Sequence, residues 1–192
     1  MAAAPDAIRT EGLSRRYGDV QAVADLALVV PTGAIFGFLG RNGAGKTTTI
    51  RLLTGLARPD SGRAWVDGVE TTSGDARAGR RFGYLPQEPA FYGWMTAEGF
   101  LDHVGRLFVL PAAERNARVA ELLRLVGLTD AARRKVGGFS GGMKQRLGLA
   151  AALIHNPAVL ILDEPMAGLD PAGRRDVLDL LEALRGHVTV FF

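Results

Sequence analysis

Cysteine is missing from all 192 positions, which excludes disulfides, thiolate nucleophiles and thiolate metal sites and fits a reducing compartment. Lysine is nearly missing too, with three residues (Lys46, Lys135 and Lys144), so arginine carries most of the positive charge. Long apolar runs are absent. LGLAAALI, at residues 147–154, stops far short of the roughly 20 residues a membrane-spanning helix needs. The opening MAAAPDAIRTEGL has neither a basic start nor an extended apolar core, so no secretory signal is expected. Charge of one sign is scarce as well: the formal balance is +3, and the local runs RAGRR (77–81) and RRK (133–135) have no aromatics interleaved with them. Single-strand binders need such stacking platforms, so no nucleic acid partner is expected. What is present is 47% hydrophobic residues, ample for one core in a chain of domain length.

Residues 8–17 and 20–30 are rich in apolar and β-branched residues and are separated by Gly18-Asp19, the pattern of a hairpin. AIFGFLG (34–40) reads as a buried strand entering a glycine loop. Residues 46–56 follow, with Ile50, Leu53 and Leu56 at helical spacing. PDSG (59–62) is a turn, RAWVDG an alternating strand and RFGYLPQ a short strand ending near Pro86. From 91 to 136 the pattern turns helical, with Val119, Leu122, Leu123 and Val126 on one face between breaks at Pro111 and Gly127. A helix over 140–155, the apolar strand AVLILD (158–163), a helix over 171–185 and the strand-like VTVFF complete the chain. Strands alternating with helices predict an α/β fold, a largely parallel sheet with an antiparallel β edge and a helical insertion. Ligands of such sheets bind at the carboxyl ends of the strands.

GRNGAGKTT (40–48) satisfies G-x-x-x-x-G-K-[ST] through Gly40, Gly45, Lys46 and Thr47. The pattern has a mechanism: the glycines let backbone N–H groups turn toward phosphates, the lysine neutralises β- and γ-phosphate charge, and the threonine hydroxyl ligates magnesium. The strand before it and the helix after it are what the motif demands, and one of the three lysines stands at the required place. An ordinary glycine-rich turn is the bland alternative. VLILDE ends an apolar strand on Asp163 and Glu164. One carboxylate can hold magnesium and the next can orient and polarise an attacking water, although a surface carboxylate would also suit Glu164. FSGGMKQR (139–146) is a second candidate anion site. A serine cap, two small residues and a helix dipole suit a phosphate, and a glycine hinge in an amphipathic helix is the alternative.

FSGGMKQR, followed by LGLAAALIHNPAVLILDEPMAGLDP, resembles the signature segment, catalytic strand and following loop of the ATP-binding cassette (ABC) family, in the nucleotide-binding subunits of ABC transporters. The resemblance runs from about residue 8 to 192. It implies a P-loop NTPase of ABC type binding ATP and Mg2+, with Gly40, Arg41, Asn42, Gly43, Ala44, Gly45, Lys46, Thr47 and Thr48 around the phosphates. Thr47, Gln87 and Asp163 are implied at the metal, and Glu164, Gln87 and Lys46 in catalysis. Tyr17 falls where the family stacks an aromatic on adenine, with a core tyrosine as the alternative. Ser140, Gly141 and Gly142 would close over the γ-phosphate of ATP held by a second ABC ATPase subunit in a head-to-tail dimer, expected to be an identical copy, with a different subunit as the alternative. Asp170, in GLDP, would cross between the two.

The signature departs from the family's commonest LSGGQ at Phe139 and Met143, and Met166 replaces the threonine of DEPT. The family's γ-phosphate histidine lies beyond the last strand, where none of His103, His155 and His187 falls. The resemblance thus describes one ABC ATPase domain over 1–192, C-terminally incomplete, with a helical subdomain at 91–136. ATP binding is expected to survive, with weak hydrolysis and poor solubility. Tyr92, Trp94, Met95 and Phe100 follow Gln87 in the region that receives a permease helix, and could equally form the small core of the insertion. The segment YLPQEPAFYGWMTAEGFL resembles subunits that pair with drug- and polymer-export permeases. The implied role is an ATP-hydrolysing motor on the cytoplasmic face of the membrane, paired with an integral membrane permease. A soluble, non-transport ABC-type ATPase or an ATP-dependent interaction module is the alternative.

Overall fold

A computed structural model describes residues 6–41, 43–75 and 77–192. They divide into two compact units. The first takes the chain to Tyr84 and adds Ala158–Asp163 and Leu184–Phe192; the second comprises Leu85–Pro157 and Glu164–Ala183.

In the first unit β1 (Asp6–Tyr17) and β2 (Val20–Pro31) form the hairpin read from the sequence, with Tyr17 opposite Val20 and Gly18 left-handed in the turn. The antiparallel strands do more than edge the parallel sheet. With β4 (Ser61–Val66) and β5 (Val69–Glu70) they make a sheet of their own, in the order β2-β1-β4-β5. A hairpin's alternating pattern specifies its own pairing but not the next partner, and β1 takes β4 by an antiparallel ladder in which Ile8 faces Val66. The second sheet runs β3 (Ile35–Phe36), β8 (Thr189–Phe191), β7 (Val159–Leu162), β6 (Phe82–Leu85), and β3, β8 and β7 pair in parallel. All four residues of β7 are buried, as its unbroken VLIL requires of a parallel strand covered on both faces.

One core joins both sheets to α1 (Lys46–Leu53): Ile8, Leu13, Val30, Ile50, Leu52, Val66, Ile161 and Phe191 are all at most 2% exposed. Each such side chain contributes roughly 1.5–3 kcal/mol on leaving water, so α1 is anchored through its far end while its N-terminus carries the loop. Several boundaries differ from the sequence reading by one to four residues, two of them beside the loop. Regular pairing of the 34–40 segment stops at Phe36, and after the Phe38 N–H bonds the Phe192 carbonyl at 2.5 Å the backbone turns into the exposed loop. Helix α1 ends at Leu53 instead of Leu56, because Gly55 turns left-handed (φ 70°) and closes the last turn onto Leu52.

The second unit is helical: α2 (Ala97–Leu107), α3 (Ala112–Leu125), α4 (Gly141–Ala152) and α5 (Pro171–Ala183). Thr96 caps α2, accepting from the Gly99 N–H, and Pro111 opens α3. Val119, Leu122, Leu123 and Val126 are buried, as their spacing predicts. The Arg115 Nε donates to Asp102 Oδ1 and its Nη1 to the Leu110 carbonyl, tying α3 to α2. None of the helices among the described residues is long and apolar enough to cross a membrane.

Candidate functional site

The candidate residues fall into one group in each unit. In the first, β3 feeds the loop and α1 begins at Gly45 with φ 88° and no side-chain cap, so the amides of the first turn are not claimed by a capping side chain. Only glycine fits there. A Cβ at 45 would stand 2.1 Å from the Ala22 carbonyl oxygen. The Lys46 Nζ lies back over the loop, donating to the Gly40 carbonyl at 2.8 Å and that of Arg41 at 3.3 Å. Arg41, Gly43 and Ala44 are exposed around it, Thr48 is half-buried, and Asn42 lies outside the described residues.

The Thr47 hydroxyl donates to Asp163 Oδ1 at 3.1 Å, bringing together two residues 116 positions apart. Asp163 is 3% exposed at the end of β7. Its charge is felt nearby: the Tyr84 hydroxyl is pushed above its ordinary pKa, first by burial and then by Asp163, with Arg51 opposing. Tyr17 is 44% exposed, which removes the core-tyrosine alternative, and the Arg15 guanidinium lies over its ring at 4.7 Å. Arg15 is in turn held by Asp60 at 2.8 Å.

In the second unit the Gln87 Nε2 donates to Glu164 Oε2 at 3.3 Å. Glu164 has φ 48°, in the left-handed region that a non-glycine residue rarely adopts, and its carbonyl accepts from the Ala167 N–H at 2.9 Å. Such a conformation costs on the order of 1–3 kcal/mol and persists where surrounding structure enforces it. Here the buried Pro165 and the turn to Ala167 hold it.

Ser140 caps α4, its hydroxyl accepting from the Met143 N–H at 3.3 Å. Phe139 before it is buried, with Arg134 over its ring, which accounts for an aromatic where the family commonly has leucine. Asp170 caps α5 in the same way, accepting from the Gly173 N–H at 2.8 Å. Ser140, Gly141, Gly142 and Asp170 line one cleft of about 420 Å³. Two residues that sequence reasoning missed share it, Arg146 and Asp176, whose side chains pair at 3.4 Å.

The aromatic segment divides between its two readings. Phe100 is buried against Phe91 and Met95 is half-buried, whereas Tyr92 (54%) and Trp94 (71%) are exposed beside each other. No cluster of three or more His, Cys, Asp or Glu side chains able to hold a metal occurs among the described residues.

A glycine loop between a parallel strand and a helix, with a buried aspartate after another strand of the same sheet hydrogen-bonded to the threonine in the first turn of that helix, defines a P-loop NTPase fold. Comparison with known proteins narrows the class. The family described as ABC transporter matches residues 23–167, and the chain belongs to that family. It is 47% identical over 183 residues to the uncharacterized ABC transporter ATP-binding protein YxlF of Bacillus subtilis (strain 168), covering 95% of this chain and 60% of that one. It is 44% identical over 185 residues to the daunorubicin resistance ATP-binding protein DrrA2 of Streptomyces coeruleorubidus, covering 96% and 58%. The chain therefore spans about 60% of the length of these curated relatives. The solved structure of MJ1267, an ATP-binding cassette of an ABC transporter, in its ADP conformation, superposes with a TM-score of 0.82 at 25% identity, covering 98% of this chain and 80% of that one.

Proposed function

We propose that this chain binds ATP with magnesium and hydrolyses it as the motor subunit of a membrane exporter. The observation that carries the reading is the contact of the Thr47 hydroxyl with the buried Asp163 carboxylate, directly after an uncapped glycine loop. Two hard oxygens at 3.1 Å, with no further acidic cluster among the described residues, suit magnesium, which keeps waters and substrate phosphate oxygens in most of its shell. Thr47 and Asp163 would hold the ion, and when bound it would neutralise phosphate charge.

The chain's own residues do the rest. The loop amides of residues 43–48 receive the β- and γ-phosphates, and Lys46 exchanges its loop carbonyls for phosphate oxygens. Glu164, which follows Asp163 in the chain, accepts a hydrogen bond from water and takes its proton as the water oxygen bonds to the γ-phosphorus. The bond from phosphorus to the ADP oxygen breaks, leaving ADP and phosphate. Gln87 orients that carboxylate through its amide. Tyr17, already exposed, offers a ring to the base.

In the same proposal Ser140, Gly141 and Gly142 close over the γ-phosphate of ATP bound to a second, identical copy, and Asp170 meets that copy. The exposure of Gly141 and the open space beside Gly142 support a surface meant for another molecule. ATP favours the closed pair and ADP does not, and only that difference in affinity can move a permease. Exposed Tyr92 and Trp94 support docking of the permease on the cytoplasmic face of the membrane. The relative's name in daunorubicin resistance supports a drug-like cargo.

The test is the molar mass of the Glu164→Gln variant by light scattering, with and without ATP. A dimer only with ATP is expected, alongside hydrolysis reduced by about 10²–10⁴-fold. A monomer at saturating bound ATP would remove the two-copy site.

A further inference from the structure

Arg146 stands six residues after the cap Ser140, and Asp176 six after the cap Asp170. At 1.5 Å per residue both lie roughly 9 Å along their helices, and they meet at 3.4 Å. The pair therefore joins α4 to α5 at equal depth beneath two N-termini that open into one cleft. An isolated surface ion pair shifts an equilibrium by less than about a factor of 5. This one differs in its surroundings. The Arg146 side chain is 22% exposed, against 51% for Asp176, its Nε is buried with no hydrogen-bond partner among the described residues, and it lies beside Gly127, where a Cβ would come within ordinary contact of Nη1 at 3.4 Å. Arg146 and Asp176 also line a second cleft, of about 320 Å³, bounded by Gly127, Asp179 and Leu180. The pair is thus flanked by a cleft on either side.

We propose that Arg146 and Asp176 form a clasp that sets the spacing of the α4 and α5 N-termini, and through it the capture of the second copy's ATP. Neither residue touches the nucleotide in this scheme; both are positioning residues. The guanidinium, largely buried beside the 127 turn, fixes where α5 sits, and with it the Asp170 cap. The role in capture rests on the two-copy reading above, whereas the clasp itself does not.

The experiment separates the two. Arg146→Met, Asp176→Asn and the exchanged pair Arg146→Asp/Asp176→Arg are made in the full chain carrying Glu164→Gln. Amide hydrogen exchange of the ATP-free chain is read at residues 141–144 and 171–174. Each single variant is expected to raise exchange at both helix starts, with the exchanged pair partly restoring protection. Protein concentration at half-dimerisation with ATP is expected to rise about tenfold in each single variant, as coupled contacts typically give, and to fall back in the exchanged pair. Unchanged exchange in Asp176→Asn, the milder variant, overturns the clasp even if Arg146→Met fails to fold. Raised exchange with an unchanged dimerisation midpoint overturns its role in capture. If the parent Glu164→Gln chain fails to dimerise, the two-copy reading falls, and the exchange result still decides the clasp.

Discussion

The two candidate half-sites are built on opposite plans. The glycine loop is exposed but fixed at its base by its own unit: Gly45 is wedged against the Ala22 carbonyl, Lys46 is tied to loop carbonyls, and Asp163 is buried against Thr47. The signature side is open. A Cβ on Gly142 would meet nothing within 4 Å, Gly141 and Ser140 are exposed, and the caps of α4 and α5 face a cleft. A site that grips from within one chain needs its donors arranged in advance, whereas a site that meets a second molecule has to leave room for it.

That contrast is sharpest in one pair of variants, and the largest effect is expected there. Gly45→Ala combines a left-handed φ with a clash against backbone, so the loop has to move. We expect nucleotide affinity to fall by more than roughly 100-fold, since such strain and the lost cradle together exceed about 3 kcal/mol. Gly142→Ala adds the same methyl group in open space within a helix, where alanine is favoured over glycine by up to about 1 kcal/mol. Its melting temperature is expected to hold or rise and nucleotide titration of the isolated chain to match the parent, while ATP-driven dimerisation weakens. Equal losses of nucleotide binding in both variants would erase the distinction between the half-sites.

The Tyr17→Ala variant comes next. Base stacking on an aromatic is worth roughly 1–3 kcal/mol, so affinity for ATP is expected to fall between about 5- and 150-fold. Because Arg15 already covers one face of the ring, Arg15→Ala should alter affinity far less. A fluorescent-nucleotide titration measures both, and a larger loss in Arg15→Ala than in Tyr17→Ala would show that the guanidinium, not the ring, meets the nucleotide.

Legibility in the sequence followed the same division between local and distant chemistry. The loop at 40–48 was legible because its chemistry is contiguous, and the strand, loop and helix around it fell where the motif demands. The Thr47–Asp163 contact spans 116 residues and was legible because each residue separately reads as a magnesium ligand, the threonine in its glycine-loop motif and the aspartate at the end of an apolar strand. Arg146 and Asp176 were not, since an arginine and an aspartate on two amphipathic helices have no local signature until the helices are placed side by side. The separate antiparallel sheet was hidden for a related reason: β1 finds β4 across some 50 residues, and alternation alone does not name that partner. The strand at 34–40 was read too long because FGFLG is apolar, yet Gly37, Leu39 and Gly40 are exposed and already belong to the loop.

The smallest expected effect probes how firmly the open cleft is backed by its own unit. Arg115 beside Asp102, with Arg106 adding to it and burial opposing, holds the Asp102 carboxyl below the usual carboxylate range. A folded-state pKa depressed in this way stabilises the fold above the unfolded value, about 3.9 for aspartate, and that contribution is lost as pH falls through the lower folded-state value. The melting temperature of the parent should therefore drop between about pH 4 and the acid limit more steeply than that of Asp102→Asn, which has no carboxyl to protonate at that position. Near neutral pH the parent is the more stable of the two, because Arg115, 12% exposed, keeps its charged partner. Since α2 and α3 are joined through this pair, hydrogen exchange at the start of α4 should barely change in Asp102→Asn. A large change there would mean that the cleft is tensioned through the α2–α3 contact instead of across α4 and α5.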